Sequence, residues 1–381
     1  MWIAALIVCL APALHEGHSH VQPDQQKWKV APVPAQPTFV GEGDHRYRWN
    51  PSWLQLPEGQ AWLGSTHGCI AVDRNDNVYL SADKGVALLV YGPDGARKRA
   101  FGGDWGGGLH GLSMVTRRKA SVSDSEMPLV TCGDWPAGDA RWNNYEQSLW
   151  IAHTARKEVM EISLDGKVLR TIEFPEQSGK YETAAQYKPT SVAVGPKGTI
   201  FVADGYGQSW VHRYSPEGKY LDSFGGRGEE AGHMHTPHGL WMDWNGEVPT
   251  LLVADRERHR LARYSLDGKF LAQTGDGLLR RPCHIQYQGK LGVVSDLSGR
   301  ITLIDQDLKL VAHLGDNPDS SQWANYGVVP QDWREGAFCA PHCARLDSKG
   351  NIYVMDWNVA GRFTRLEKVA SVQGASEQPA K

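Results

Sequence analysis

Three histidines of the chain occur in closely similar sequence contexts, and imidazole is the commonest protein ligand for metal ions. They lie in Leu-His-Gly-Leu, Pro-His-Gly-Leu and Pro-His-Cys-Ala segments, at His110, His238 and His342. Three histidine ligands leave coordination positions open for a substrate, as a catalytic divalent metal requires. Any one of them alone would be read as an ordinary hydrogen-bonded histidine. Three in matching contexts favour a metal site.

These contexts match because the surrounding sequence is repeated. Each unit has an apolar segment, a turn, a second β-rich segment that usually ends in Asp, and two further β-type segments. Copies begin near residues 67, 110, 189, 237, 282 and 341. Most intervals are close to the roughly 40–50-residue period of four-stranded propeller blades. The sequence therefore predicts an all-β chain folded as a six-bladed β-propeller.

The first strand of each blade lines the central channel, so residues at one repeat position should form a ring around the axis. In chain order, that position is assigned to His67, His110, Thr190, His238, Cys283 and His342. Histidines in the second, fourth and sixth blades would surround the axis evenly. His67 is interpreted as a fourth ligand, a supporting group or neither. His284 follows the aligned position and is expected to face away.

The regions outside the repeats carry different signals. Residues 1–20 are predicted to be a signal peptide and a His-rich linker, because an apolar run ends in the small-x-small segment Ala11-Pro12-Ala13. That run is too short to span a membrane, which takes about 20 apolar residues. No other stretch of the sequence is a candidate for a membrane span. A secreted or periplasmic protein is expected. The propeller is assigned to residues 37–368, with residues 37–62 supplying the closing strand. Residues 369–381 read as a disordered tail, and 117–146 as an inserted loop.

Charge and cysteine content limit the partners. The chain has 40 Lys and Arg against 43 Asp and Glu, a net charge of -3, which argues against a nucleic-acid partner. A small-molecule or peptide substrate is expected, and the oligomeric state is open. Six cysteines in a chain of this size do not form a disulfide framework. Cys339 and Cys343 are the closest pair, and whether they are bridged is left open.

Five segments together resemble a known family. They are Leu109–Ser113, Val202–Tyr206, Thr236–Leu240, Val253–Glu257 and Ala340–His342. They resemble the peptidyl-α-hydroxyglycine α-amidating lyase domain of peptidylglycine α-amidating monooxygenase, which belongs to the NHL-repeat propellers.

The resemblance implies specific roles. It implies a zinc ion held by His110, His238 and His342, with Tyr206 as general base and Arg256 beside it. The implied reaction cleaves a peptidyl-α-hydroxyglycine into a peptide amide and glyoxylate. Chemistry agrees, because a metal and a guanidinium near Tyr206 would both lower its pKa from about 10.

The chain departs from the family in the long second-blade insertion and at two site positions. The family has a second Arg on its first blade, where this chain has Lys84, a point charge rather than a bidentate fork. The family also has a calcium ion held partly by an Asp after the last metal histidine. Cys343 occupies that position here, so the calcium site is doubtful.

Two other functions are compatible with the fold. A non-catalytic NHL-repeat propeller would bind protein or glycan and would not need Tyr206 or Arg256. A metal-dependent hydrolase or lactonase would place carboxylates or Asn around the axial metal. The recurring Asp204, Asp255, Asp296 and Asp356 are interpreted as structural turn residues instead.

Overall fold

The computed structural model describes residues 28–29, 34–83, 85–119 and 135–370. The predicted signal segment, Lys84, the centre of the 117–146 insertion and residues 371–381 lie outside this part of the chain. Within it, the regular elements are β-strands and short 3-10 turns, without an α-helix. The strands form six separate sheets, one per repeat. The predicted six-bladed β-propeller is thus confirmed.

The strands of the first three blades follow the chain in order. Two strands precede blade 1: β1 (Phe39–Val40) and β2 (Tyr47–Asn50). Blade 1 contains β3 (Ile70–Val72), β4 (Val78–Ser81), β5 (Leu88–Tyr91) and β6 (Arg97–Phe101). Blade 2 contains β7 (Leu109–Arg118), β8 (Tyr145–His153), β9 (Glu158–Ser163) and β10 (Val168–Ile172). Blade 3 contains β11 (Ser191–Val194), β12 (Ile200–Ala203), β13 (Trp210–Tyr214) and β14 (Tyr220–Gly225).

The last three blades complete the ring. Blade 4 contains β15 (Pro237–Asp243), β16 (Thr250–Asp255), β17 (Arg260–Tyr264) and β18 (Phe270–Gln273). Blade 5 contains β19 (Pro282–Gln288), β20 (Leu291–Asp296), β21 (Arg300–Ile304) and β22 (Leu310–Leu314). Blade 6 contains β23 (Pro341–Leu346), β24 (Ile352–Asp356) and β25 (Phe363–Lys368).

Short 3-10 turns occupy several connections between strands. They are Gly43–His45, Gly103–Trp105, Ala140–Asn144, Glu176–Ser178, Ala184–Gln186, Pro196–Gly198, Arg256–Arg258, Ser320–Gln322 and Pro330–Asp332. None of the described helices has the length and apolar character needed to cross a membrane.

The two ends of the propeller meet in blade 6. Its sheet has the order β1-β2-β25-β24-β23, so two N-terminal strands pair with a C-terminal one. The register places Tyr47 opposite Lys368 and Asn50 opposite Arg365. Residues 37–62 therefore supply the closing strand, as expected, because the last repeat carries three strands of its own.

Apolar side chains hold neighbouring blades together. Inner strands such as Ile200–Ala203 are buried on both faces, as expected for sheets stacked face to face. One cluster joins blades 2 and 3 around Trp150 and Val202, and another joins blades 3 and 4 around Phe201 and Val253. Each large apolar side chain buried in this way contributes about 1.5–3 kcal/mol. The packing fixes the inner strands relative to one another.

The recurring aspartates have a common structural role. Each is the last residue of a second strand or, for Asp204, directly follows it, and its buried carboxylate accepts hydrogen bonds from backbone N–H groups that lead into the first strand. The donors are Lys188 for Asp204, His235 for Asp255, Arg281 for Asp296 and Ala340 for Asp356. The bonds satisfy donors that would otherwise be buried and unpaired. The interpretation as structural turn residues is confirmed.

The cysteine pairing was left open by the sequence. Cys343 forms a disulfide with Cys69, 274 residues away in the sequence, and Cys339 is a buried free thiol. Cys339 is the cysteine nearest to Cys343 in the sequence, but the two residues lie on different elements. Cys343 lies in β23, and Cys339 precedes that strand.

Candidate metal centre

The three repeat histidines meet at the axis. His110, His238 and His342 are buried near the starts of β7, β15 and β23. Their ring centroids are 4.6, 4.9 and 4.7 Å apart, in T-shaped contacts. Each interrupts the ladder of its blade as a bulge, for example between the paired residues Leu109 and Gly111. A bulge changes the direction of one side chain, and here it aims each imidazole along the channel.

Each histidine is oriented by the next blade. The Nδ1 atoms contact backbone carbonyl oxygens: His110 that of Thr190 at 2.8 Å, His238 that of Cys283 at 3.0 Å, and His342 that of Gly68 at 2.7 Å. A carbonyl only accepts, so Nδ1 must carry the proton and Nε2 must present a lone pair. A backbone carbonyl on the second nitrogen is the usual arrangement for a metal-binding histidine.

Glycines after two of the histidines allow this close approach. A Cβ atom added at Gly111 would lie 2.3 Å from the Thr190 carbonyl oxygen, and one added at Gly239 would lie 2.3 Å from that of Cys283. Both neighbours are backbone atoms, so a side-chain rotation could not relieve the clash. The His-Gly dipeptides of the repeat therefore serve the hydrogen bonds that orient the histidines.

The Nε2 atoms outnumber the protons available to them. The Tyr206 hydroxyl lies 3.1 Å from His110 Nε2 and 2.9 Å from His238 Nε2. It carries one proton and can donate to only one of them. His342 Nε2 is buried without a hydrogen-bond partner among the described residues. The lone pairs of His110 and His238 share one hydroxyl proton and that of His342 has no partner among the described residues, which is a deficit that a cation would satisfy.

The histidines are held neutral, as ligands must be. Burial lowers the pKa of His110 to about 4. Burial, followed by the neighbouring His110, places the pKa values of His238 and His342 well below the ordinary value. The residues therefore fit a divalent metal ion that accepts imidazole ligands, such as zinc.

Tyr206 and Arg256 meet directly above the histidines. Tyr206 follows β12 and Arg256 follows β16, each just after one of the structural aspartates. Arg256 Nη1 donates to the Tyr206 hydroxyl at 3.2 Å, and its Nε donates to Glu257 at 2.8 Å. Burial raises the pKa of Tyr206 to about 12, with Arg256 acting in the opposite direction. A further positive charge would be needed to make the phenolate at neutral pH.

His67 belongs to the site, but it lies one residue before the position that forms the ring in blade 1. Gly68, not His67, supplies the carbonyl equivalent to those of Thr190 and Cys283. His67 is half-buried, and its Nε2 lies 3.3 Å from the Tyr206 hydroxyl. One ligand atom from each of His67, His110 and His342 lies within 4.8 Å of the others, and the same holds for His238, Cys283 and His342. Lys84 lies outside the described residues.

His284 does not face away, and that expectation was wrong. It is buried, with its ring centroid 5.2 Å from that of His238 and 5.8 Å from that of His342. Its Nε2 has no hydrogen-bond partner among the described residues. A bulge at Cys283 breaks the alternation of side chains, so both residues 283 and 284 lie toward the axis. The glycines that follow His110 and His238 were the available signal, since they mark that position as crowded.

The residues that follow His342 along its inner strand do not fit a calcium site. Calcium takes 6–8 oxygen ligands, whereas Cys343 presents a sulfur that is bonded to Cys69. The buried Arg345 guanidinium donates to the Ala344 carbonyl at 2.9 Å and to Cys69 Sγ at 3.3 Å. Burial lowers its pKa to about 10, so it stays positive at neutral pH and would repel a cation. The sequence-based doubt about calcium therefore has a physical basis.

Comparison with known proteins adds named relatives. No family model matches the sequence. Peptidylglycine alpha-amidating monooxygenase of Rattus norvegicus is 37% identical over 194 residues, which are 48% of this chain and 18% of that protein. Peptidyl-alpha-hydroxyglycine alpha-amidating lyase 1 of Drosophila melanogaster is 30% identical over 146 residues, 35% of this chain and 26% of that protein. A probable lyase of this name from Caenorhabditis elegans is 27% identical, covering 40% of this chain and 43% of that protein.

These relatives confirm the resemblance to the amidating lyases. The chain spans less than half the length of each of them. Solved structures are similar in fold alone. A streptogramin B lyase has a TM-score of 0.50 at 11% identity, covering 86% of this chain and 99% of that one. A gluconolactonase from Xanthomonas campestris has a TM-score of 0.50 at 13% identity, covering 89% and 97%.

Proposed function

We propose that this chain is a zinc-dependent lyase that cleaves a peptidyl-α-hydroxyglycine, or a similar carbinolamide, into an amide and glyoxylate. The names of the relatives support the reaction class. The observation that carries the proposal is the Tyr206 hydroxyl, which contacts the Nε2 atoms of His110 and His238 and the guanidinium of Arg256. A base, a cation and a metal-ligand set thus meet at one point.

The reaction needs one proton to move. The substrate carries a hydroxyl and an amide nitrogen on the same carbon. Tyr206, as phenolate, takes the hydroxyl proton. The O–H electrons form the carbonyl of glyoxylate, and the C–N electrons pass to nitrogen. Tyr206 then returns the proton to that nitrogen, which completes the amide. Proton transfer by a positioned side chain is worth about 10²–10⁴-fold in rate.

The remaining residues prepare Tyr206 for this transfer. Arg256, buried and charged, favours the phenolate because its Nη1 lies against the tyrosine oxygen. Glu257 holds Arg256 in place through Nε and is itself bound by Arg281 at 2.5 Å. A zinc ion on His110, His238 and His342 would polarise the substrate oxygen and lower the pKa of Tyr206.

The other predicted features complete the proposal. His67 is assigned to orienting the Tyr206 hydroxyl, which it approaches from the open side of the channel. Lys84 is proposed to attract the carboxylate of the substrate. Secretion or export, the leader segment and a peptide or small-molecule substrate remain proposals that agree with the lyase assignment.

The two alternatives explain less of the geometry. A binding propeller gives no role to buried histidines that converge on a tyrosine and an arginine. A lactonase-type site would need carboxylate or Asn ligands, whereas His110, His238 and His342 are the groups that converge here.

The experiment compares the wild type with Tyr206→Phe. Glyoxylate release from N-benzoyl-α-hydroxyglycine is measured, with zinc content determined on the same samples. We expect release by the wild type and a loss of at least about 100-fold in kcat for the variant, with zinc retained. Absence of release from a zinc-loaded wild type would overturn the reaction. An active, zinc-loaded Tyr206→Phe would overturn the role of the tyrosine.

A further inference from the structure

The three histidines are oriented at three equivalent joints between blades. At each joint, an imidazole Nδ1–H group donates to a carbonyl on the inner strand of the next blade. Two of the joints, those of His110 and His238, are closed by the tight fit of Gly111 and Gly239 against the neighbouring backbone. The third joint, that of His342, has no glycine at the corresponding position.

A covalent bond closes the third joint. His342 donates to the carbonyl of Gly68, and the residues that directly follow these two, Cys343 and Cys69, form the disulfide. Both cysteines are fully buried. The Ile70 backbone N–H also contacts Cys343 Sγ at 3.2 Å. The bridge is thus one residue away from the hydrogen bond that orients His342, on both strands.

This joint is also the one that the chain does not close by itself. Blades 1 to 5 follow one another along the sequence, whereas the inner strand of blade 6, β23, meets blade 1 only when β2 pairs with β25 and closes the ring. The bridged residues are 274 positions apart. Opening of this seam would separate His342 from Gly68 while leaving the other two histidines in place.

We propose that the Cys69–Cys343 disulfide is a positioning element for His342, which keeps its Nε2 aimed at the metal centre. The inference rests on the proposed metal site and concerns how one ligand is held, not which reaction follows. Loss of an outer partner of a metal-binding histidine usually weakens metal affinity by about 10–100-fold. Removal of the bridge should have an effect of this size.

The test uses Cys69→Ala/Cys343→Ala, with Cys339→Ala as the matched control. Cys339 is a buried thiol of the same region that takes no part in the bridge. Peptide mapping without reductant first establishes the bridge in the wild type. Zinc dissociation constants are then measured by competition with a chromophoric chelator, on samples shown to be folded by circular dichroism. We expect a 10–100-fold weaker affinity for the double variant and a change within about twofold for the control.

A second comparison separates positioning of His342 from general stabilisation of the ring. The bridge is also removed in His342→Ala and in His238→Ala backgrounds. If the bridge acts through His342, its removal should cost nothing further in the first background and should still weaken zinc binding in the second, as coupled residues behave in a double-mutant cycle. Equal losses in both backgrounds, or wild-type affinity without the bridge, would overturn the proposal.

The proposal stays testable if the double variant does not fold. In that case, the rate at which a phosphine reductant cleaves the bridge is measured with and without zinc. Zinc should slow cleavage in the wild type and should not do so in His342→Ala. Equal rates in the wild type would overturn the proposal. A wild type that binds no zinc would overturn the metal centre instead, while peptide mapping would still report the bridge.

Discussion

Substitution of Gly111 by Ala tests whether the joints between blades orient the metal ligands. The new Cβ atom would lie 2.3 Å from the Thr190 carbonyl oxygen and 3.0 Å from the Ser191 Cα atom, while an ordinary contact begins at 3.4 Å. The backbone of blade 3 would have to move by about 1 Å, since both neighbours are main-chain atoms. The 2.8 Å hydrogen bond between His110 Nδ1 and the Thr190 carbonyl would then lengthen beyond a normal hydrogen bond.

Two free-energy terms follow from this movement. Overpacking costs about 1–3 kcal/mol, and the lost hydrogen bond costs about 0.5–1.5 kcal/mol. The unfolding temperature should fall, and zinc affinity should weaken by about 10–100-fold because His110 loses its orienting partner. Thermal unfolding and chelator competition measure the two effects. Gly103→Ala is the matched control, because a Cβ atom there meets nothing within 4 Å. Wild-type zinc affinity in Gly111→Ala would refute the reasoning about the joints.

Three further predictions concern the surroundings of the centre. His67→Ala should keep zinc affinity within a few-fold and lower kcat/KM for glyoxylate release by about tenfold, because His67 contacts Tyr206 from the open side; a larger loss of zinc than of activity would make it a ligand. A calcium chelator with low zinc affinity should leave the unfolding temperature unchanged, because Arg345 and the disulfide occupy the position where the calcium ion would bind. A fall in the unfolding temperature would contradict this prediction. Asp356→Asn should lower the free energy of unfolding by about 1–3 kcal/mol in denaturant titrations. One carboxylate oxygen of Asp356 accepts hydrogen bonds from the backbone N–H groups of both Cys339 and Ala340. An unchanged unfolding midpoint would count against the structural role of the aspartates.

The repeat made the ring of histidines predictable from sequence. His110, His238 and His342 share a repeat position and similar neighbours, and equivalent positions in a propeller lie at one level around the axis. Tyr206 and Arg256 follow equivalent aspartates, which placed them at one end of the channel, where they meet. Periodicity carries this information because each blade repeats the same strand register.

The errors at His284 and His67 arose where the register is irregular. A bulge at Cys283 brings His284 toward the axis, although simple alternation places it on the other face. In blade 1, the ladder begins only at Ile70, so His67 lies one residue above the level that the repeat assigned to it. The Cys69–Cys343 bridge was left open by the sequence, because it joins residues 274 positions apart that only the closed ring brings together.

The central claim is that His110, His238 and His342 hold one catalytic metal ion. The most direct measurement is the metal content of the purified wild type, compared with that of the His238→Ala variant. In the wild type, His238 Nε2 lies 2.9 Å from the Tyr206 hydroxyl. The account predicts about one zinc or similar divalent ion per wild-type chain and its loss in the variant, with the fold retained. A wild type that stays metal-free after growth with added zinc, or a His238→Ala protein with full metal content, would contradict it.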